Sequence, residues 1–334
     1  GNQINTSYLA NKAGAVGSVV DLIGNSNSIS GGKSKAPFDS IELSKTPSKI
    51  SSYDDAKALL SLGEVMSGNS YLRTADGGGA DRAQYLMDTI RNISKSRLDG
   101  FKEQDLQNQV RSILNCSYQE AGRLLKTFTV QSLDPSIDPD VIAAFEGKFP
   151  SVASVAKLIL DRKAGTGTVT VGGCDYHDGS NATGEAKDVQ IGEYIGRCFK
   201  LAALKGENLM IHLFTDGGVT GSAAGVTDPG NGKVIWTSDS GSRSANVTLI
   251  YKHNHNADTD GPIVKPGMRQ IGNFLKAGGV DLTASVTGAD TAVLTAAIAY
   301  NYLALTGREG RYKEIYGRNL PDGVDKLVAF NKII

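Results

Sequence analysis

Between Thr168 and Lys252, short apolar runs alternate with glycine-rich turns, and each of those turns holds an acidic residue. The β-branched run Thr168-Val169-Thr170-Val171 ends in Gly172-Gly173-Cys174-Asp175-Tyr176-His177. Leu209-Met210-Ile211-His212-Leu213-Phe214 ends in Thr215-Asp216-Gly217-Gly218. The turn Ser238-Asp239-Ser240-Gly241 precedes a run from Asn246 to Tyr251. Apolar runs of this length bounded by glycine read as buried strands. The intervening stretch from Gly184 to Leu204 places Val189, Ile191, Ile195, Phe199 and Ala202 on one side of a helix. Strand, helix, strand in succession predicts an α/β domain with a largely parallel sheet and helices on both faces. In such sheets ligands bind beyond the C-terminal ends of strands.

The flanks fit this frame. Residues 1–50 form a polar arm and loop, and residues 51–334 read as one α/β domain. Within it, 53–165 is a helical layer, 168–252 holds the core sheet motifs, and 262–334 is a C-terminal helical part. Leu86, Met87, Ile90 and Ile93 recur at helical spacing, as do Leu106, Val110, Ile113 and Leu114. Asp134-Pro135 marks a turn, Pro139 suits the first turn of a short helix through Phe145, and Val152 to Arg162 reads as an amphipathic helix. Asp228-Pro229-Gly230-Asn231-Gly232 between apolar flanks predicts a β-hairpin insert over Gly225 to Trp236. Asp290 is placed to cap an apolar helix from Thr291 to Leu305 that stops at Gly307. That helix is apolar nearly all round, so it belongs inside the domain or at an interface.

Composition excludes some functions. Lys plus Arg and Asp plus Glu both number 35, so no basic field recruits nucleic acid. No run reaches the ~18 apolar residues of a membrane span. Cys116, Cys174 and Cys198 are too few for a disulfide framework, leaving three buried thiols or one bridge with an odd thiol.

The order of motifs, over roughly residues 150–255, resembles the alkaline phosphatase superfamily, and most closely a secreted branch whose first motif is commonly Gly-Gly-Trp-Asp-Thr-His and whose last is Thr-Asp-His-Gly. Here they stand as Gly172-Gly173-Cys174-Asp175-Tyr176-His177 and Ser238-Asp239-Ser240-Gly241, with Thr215-Asp216-Gly217-Gly218 between them. The resemblance implies an alkaline-phosphatase-like core, with Asp175, His177, Asp216 and Asp239 as ligands of a divalent metal (Zn, Mg or Ca). It also implies degeneracy. Ser240 and Gly217 stand where metal-binding histidines would, and no hydroxyl nucleophile is in place, so no catalytic residue is assigned.

Each candidate has a plainer reading. Asp175 could cap a turn and His177 bond to backbone; Asp216 could form an Asx-turn with Gly217. His253 and His255 alternate and would face one way in an extended chain, completing a metal site, or lie in a solvated loop. His212, inside an apolar strand, reads as a core histidine. Asp228 to Gly232 and His255 to Gly261 are oxygen-rich enough for calcium but lack EF-hand spacing. The expected function is a secreted or cell-surface structural protein on a degenerate phosphatase-like fold, self-assembling as a homo-oligomer or filament, without catalysis and with no cofactor. The alternative is a metal-dependent phosphate or sulfate ester hydrolase. Ile4, Tyr8 and Leu9 are the apolar anchors of the first residues, which are expected to pack on another subunit or in a groove of their own domain.

Overall fold

The computed structural model describes residues 9–10, 13–15, 19–23, 48–49, 89, 92, 134–169, 171–174, 176, 181–214, 246–275, 280–284, 286–288 and 290–334. Of the expected helical layer at 53–165, Thr89, Asn92 and residues 134–165 fall within these; Thr89 and Asn92 are helical, and residues 134–165 hold two helices described below. The hairpin insert at Gly225–Trp236 lies outside them.

Three helices form one packed body. Helix α1 (Pro139–Phe145) begins where the sequence predicts: Asp138 is extended at φ −75°, and its carboxylate accepts the N–H groups of Asp140 and Val141 at 3.0 and 3.2 Å. Helix α2 (Pro150–Leu160) follows a tight reversal in which Glu146 and Phe149 both have φ near +50°. The sequence predicts one apolar face here, yet α2 is buried on nearly every side from Val152 to Leu160, because α1, the long helix α3 (Asn181–Lys205) and strand β3 (Ala164–Thr168) surround it. Val141, Ala144, Phe145, Val152, Ala153, Ala156, Leu160, Leu201 and Ala202 form the core of this body. Arg197 ties α3 to the end of α1: one guanidinium nitrogen donates to the otherwise unsatisfied carbonyl of Ala144 at 2.9 Å, and the group lies over the Phe149 ring.

Among the described residues no large parallel sheet is formed. Strands β1 (Val19–Ile23), β2 (Ser48–Lys49) and β3 make a small parallel sheet in the order β2-β1-β3. Strands β4 (Leu209–Leu213) and β5 (Val247–Tyr251) are a separate antiparallel pair, with Leu209 opposite Tyr251 and His212 opposite Thr248. A third pair, β6 (Asn273–Phe274) and β7 (Val280–Asp281), is also antiparallel. Helix outweighs these short strands. The doubly covered parallel sheet that the phosphatase resemblance implies is therefore corrected by the described strands. Side chains alternate with period two in both parallel and antiparallel strands, so the pattern of β4 and β5 carried no information on direction. The first strand was also misplaced. It is Ala164-Gly165-Thr166-Gly167-Thr168, not Thr168 to Gly173. Glycine is poor strand material by propensity, but Gly165 is needed here: a Cβ would stand 3.1 Å from the Ala15 carbonyl oxygen.

The C-terminal part is organised by helix α5 (Thr291–Ala304), capped by Asp290 as expected, with its carboxylate accepting from Ala292 and Val293. Helix α4 (Ala257–Asp260) is a single turn, and helix α6 (Tyr312–Tyr316) packs its Tyr312 ring against Tyr300 and Tyr316. The chain end returns past Pro262–Lys265, where Val264 bridges Phe330 and Lys265 N–H donates to Ala329. Leu9 and Ala13 are buried against α5 and α6 of the same chain, the own-domain alternative of the two packings expected for the first residues. Among the described residues no helix is long and apolar enough to cross a membrane.

Candidate functional site

The loop leaving β3 holds the first acidic motif and lies against the start of α3. Gly173 has φ of +81°, a conformation that favours glycine, and a Cβ there would meet the Lys187 side chain at 3.4 Å. Cys174 lies half-buried, its sulfur 4.0 Å from the Val171 carbonyl. Tyr176 N–H donates to the Cys174 carbonyl at 3.0 Å, closing the turn. The Tyr176 ring covers Gly184, and its hydroxyl donates a short hydrogen bond to the Asp188 carboxylate. Burial, then that hydrogen bond and the negative charge of Asp188, push the phenol well above its usual range, so Tyr176 stays neutral and acts as a brace.

This brace depends on glycine. A Cβ at position 184 would stand 2.4 Å from the Tyr176 ring. Glycine-to-alanine exchange inside a helix ordinarily stabilises by about 1 kcal/mol. Gly184→Ala is expected to bring no such gain, to shift the near-ultraviolet circular dichroism of tyrosine, and to speed amide exchange at residues 171–176. A variant that is simply more stable, with unchanged exchange, would refute the brace.

The residues at the heart of the expected metal site, Asp175, His177, Asp216 and Asp239, lie outside the described residues. What the structure does place is the strands leading to them. Asp175 follows β3 and Asp216 follows β4, and these strands belong to different sheets. The described strands leading to Asp175 and Asp216 thus share no sheet edge, and the positions of the four residues themselves lie outside the described residues. Among the described residues no group of three histidine, cysteine or acidic side chains is arranged to hold a metal ion.

The described histidines each have separate surroundings. His212 Nδ1 pairs with Thr248 Oγ1 at 2.8 Å across the β4–β5 ladder, and burial pushes the imidazole down to about 4, so it is neutral at ordinary pH. This agrees with a core histidine. His253 and His255 do not share a face, because Asn254 between them has φ of +55° and breaks the extended chain on which alternation rests. The His253 imidazole lies by Gly206, and its backbone N–H donates to Asn208 Oδ1. His255 Nδ1 lies 3.4 Å from Asp260. Asp260 is in turn held by Lys252 at 3.0 Å and by the Asn256 N–H at 3.3 Å. Its carboxylate thus ties Lys252, His255 and the Asn256 N–H together within the His255–Gly261 turn; Asp228–Gly232 lies outside the described residues. Cys198 is also free, and burial pushes its thiol up to about 12, far from a reactive thiolate. Cys116 lies outside the described residues.

Among the described residues, the most concentrated charge is one that the order of residues did not reveal. Lys157, on α2 and 4% exposed, contacts Asp138 and Asp161, both at 2.5 Å. Lys205, at the end of α3, contacts Asp161 at 2.7 Å and Asp138 at 3.1 Å. Two cations and two carboxylates close a ring that joins the start of α1 to the ends of α2 and α3. Burial works against the Asp138 charge, but the hydrogen bonds from Lys157, Val141 N–H and Lys205 prevail and hold it at about 2. Lys205 is likewise opposed by burial and raised by its bonds to Asp161 and Asp138. The only sequence signal was the i,i+4 spacing of Lys157 and Asp161. With a third carboxylate, Asp140, 4.0 Å from Lys205 at its edge, this cluster is a clamp between helices.

Compared with known proteins, the chain matches no family model, no curated protein and no solved structure.

Proposed function

We propose that this chain is a non-catalytic structural protein that associates with copies of itself. One observation carries the reading. Ile271, Phe274 and Leu275, three large apolar side chains within five residues, are 41, 57 and 46% exposed at the β6–β7 ribbon. Exposed apolar groups clustered in this way mark association surfaces, and a ribbon with two residues per strand is too small to be stable unaided. A second copy is a suitable cover because the formal net charge is zero, so no long-range repulsion keeps copies apart.

The alternative, a metal-dependent phosphate or sulfate ester hydrolase, gains support from the Tyr176 brace, since Asp175 and His177 flank that residue in sequence. One set of preparations tests both. Light scattering after size exclusion should give a mass that rises with concentration for the intact chain, and a monomer for Phe274→Asp with unchanged far-ultraviolet circular dichroism. Aryl phosphate and aryl sulfate with zinc, magnesium or calcium should give no turnover. A monomer at every concentration would sink the association reading. Turnover lost in Asp216→Ala would establish the hydrolase in its place.

A further inference from the structure

The short segment before β1 is held by residues from the far end of the chain. Leu9 and Ala13, 3% and 2% exposed, fill a socket lined by Ala296, Ala299 and Leu303 of α5 and Tyr312 of α6. The Tyr316 hydroxyl donates to the Leu9 carbonyl oxygen at 3.0 Å, across 307 residues of sequence. Ala13 N–H bonds to the same oxygen, and Ala15 N–H bonds to the Ala10 carbonyl, so the segment enters as one helical turn. Gly14 follows with φ of +88°, beside the Arg308 guanidinium. The Ala15 carbonyl then lies against Gly165 of β3, and the chain runs on into β1. The segment therefore has one socket and, at Gly14, one joint whose backbone conformation glycine permits without strain.

Among the described residues the hold is one leucine, one alanine and one side-chain hydrogen bond, set against the conformational entropy of ordering the segment. Weakly held elements of this kind open locally well before the body unfolds. When this one opens, it uncovers Ala299, Leu303 and Tyr312, and it frees Leu9 at the same moment. None of the socket contacts requires that Leu9 come from the same molecule. A second copy carries the one segment already known to fit.

We propose that the Leu9 socket is an exchange interface, in which the segment of one copy docks between α5 and α6 of another with Gly14 as the joint. The inference rests on the self-association proposed above and adds to its ribbon contact a second contact between the same copies. Reciprocal exchange closes a pair, whereas one-way exchange propagates a chain.

The test uses the full chain carrying Leu9→Asp, whose own segment cannot enter the socket, and a fluorescein-labelled peptide of residues 5–16. Fluorescence anisotropy should report saturable binding. Binding should be at least about 10-fold weaker to the intact chain, whose socket is filled, and for a peptide carrying Leu9→Asp, as expected for losing one buried leucine. Tyr316→Phe added to the Leu9→Asp chain should weaken binding several-fold. No binding to a Leu9→Asp chain whose circular dichroism matches the intact chain overturns the proposal, as does binding that the Leu9→Asp peptide reproduces. If the Leu9→Asp chain does not fold, Leu9→Ala replaces it with the same criteria. The two failures are distinguishable. A chain that stays monomeric in light scattering refutes self-association and exchange together, even where the peptide binds; concentration-dependent oligomers without peptide binding refute exchange and leave self-association.

Discussion

Lys157→Met is expected to destabilise the three-helix body by about 3–5 kcal/mol, the usual cost of removing one partner from a buried ion pair. Methionine nearly matches lysine in length, so packing on α2 is kept and the effect is electrostatic. Asp138 and Asp161, only 12% and 18% exposed, would then share a single cation in Lys205. Thermal unfolding followed by far-ultraviolet circular dichroism should show a midpoint lower by several degrees, and amide exchange should quicken first where α1 begins and α2 ends. The clamp also predicts an acid response. The Asp138 carboxyl ionises at about 2 in the folded chain and near ~3.9 when unfolded. A lowered folded value stabilises fully above the unfolded value, and this contribution is lost as pH falls from about 4 to about 2. At roughly 1.4 kcal/mol per unit it amounts to about 2–3 kcal/mol. Asp138→Asn keeps a capping oxygen but not the charge, so its stability should vary less across that window. Equal midpoints for Lys157→Met and the unaltered chain would remove the clamp from any account of this fold.

Asn301→Leu should be nearly as damaging, although it makes an apolar helix more apolar. Asn301 is buried within α5, and its side chain holds the chain end in place. Its Nδ2 donates to the carbonyl oxygens of Ala297 and Leu327 at 2.9 and 2.8 Å, and its Oδ1 accepts the Ala329 N–H at 2.7 Å. Leucine would leave the Leu327 carbonyl and the Ala329 N–H buried without that partner, at about 1–3 kcal/mol each. The loss of about 2–6 kcal/mol should fall on the tail rather than on α1–α3. Exchange measured by mass spectrometry should therefore accelerate at residues 327–331 and at Lys265, which bonds to Ala329, and leave residues 139–160 unchanged. A tail protected as in the unaltered chain would mean that the asparagine merely occupies space.

These two sites mark the division between what could and could not be read from the residues in order. Helix starts were legible because they are local: Asp138 before Pro139, and Asp290 before Thr291, each satisfy N–H groups two and three residues away. Strands β4 and β5 were legible as apolar runs bounded by turns. The apolar character of α5 correctly marked it for burial.

The tertiary structure decided what sequence distance hides. Strand direction was not encoded, because parallel and antiparallel neighbours accept the same alternation; the assumed parallel sheet fell with it. Strand β3 was missed because Gly165 and Gly167 lower intrinsic propensity, while the close approach of the Ala15 carbonyl selects glycine there. His253 and His255 were separated by a single left-handed residue, Asn254. Lys157, Asp138 and Lys205 gave no sign of sharing a ring, since Coulomb attraction acts through space and their spacings of 19 and 67 residues follow no period. By itself the sequence determined where helices begin and which segments are apolar, both consequences of near-neighbour hydrogen bonding and burial. Which segments meet, in which direction and with which charges, was decided only when the chain closed on itself, because those energies depend on distances that the order of residues does not contain.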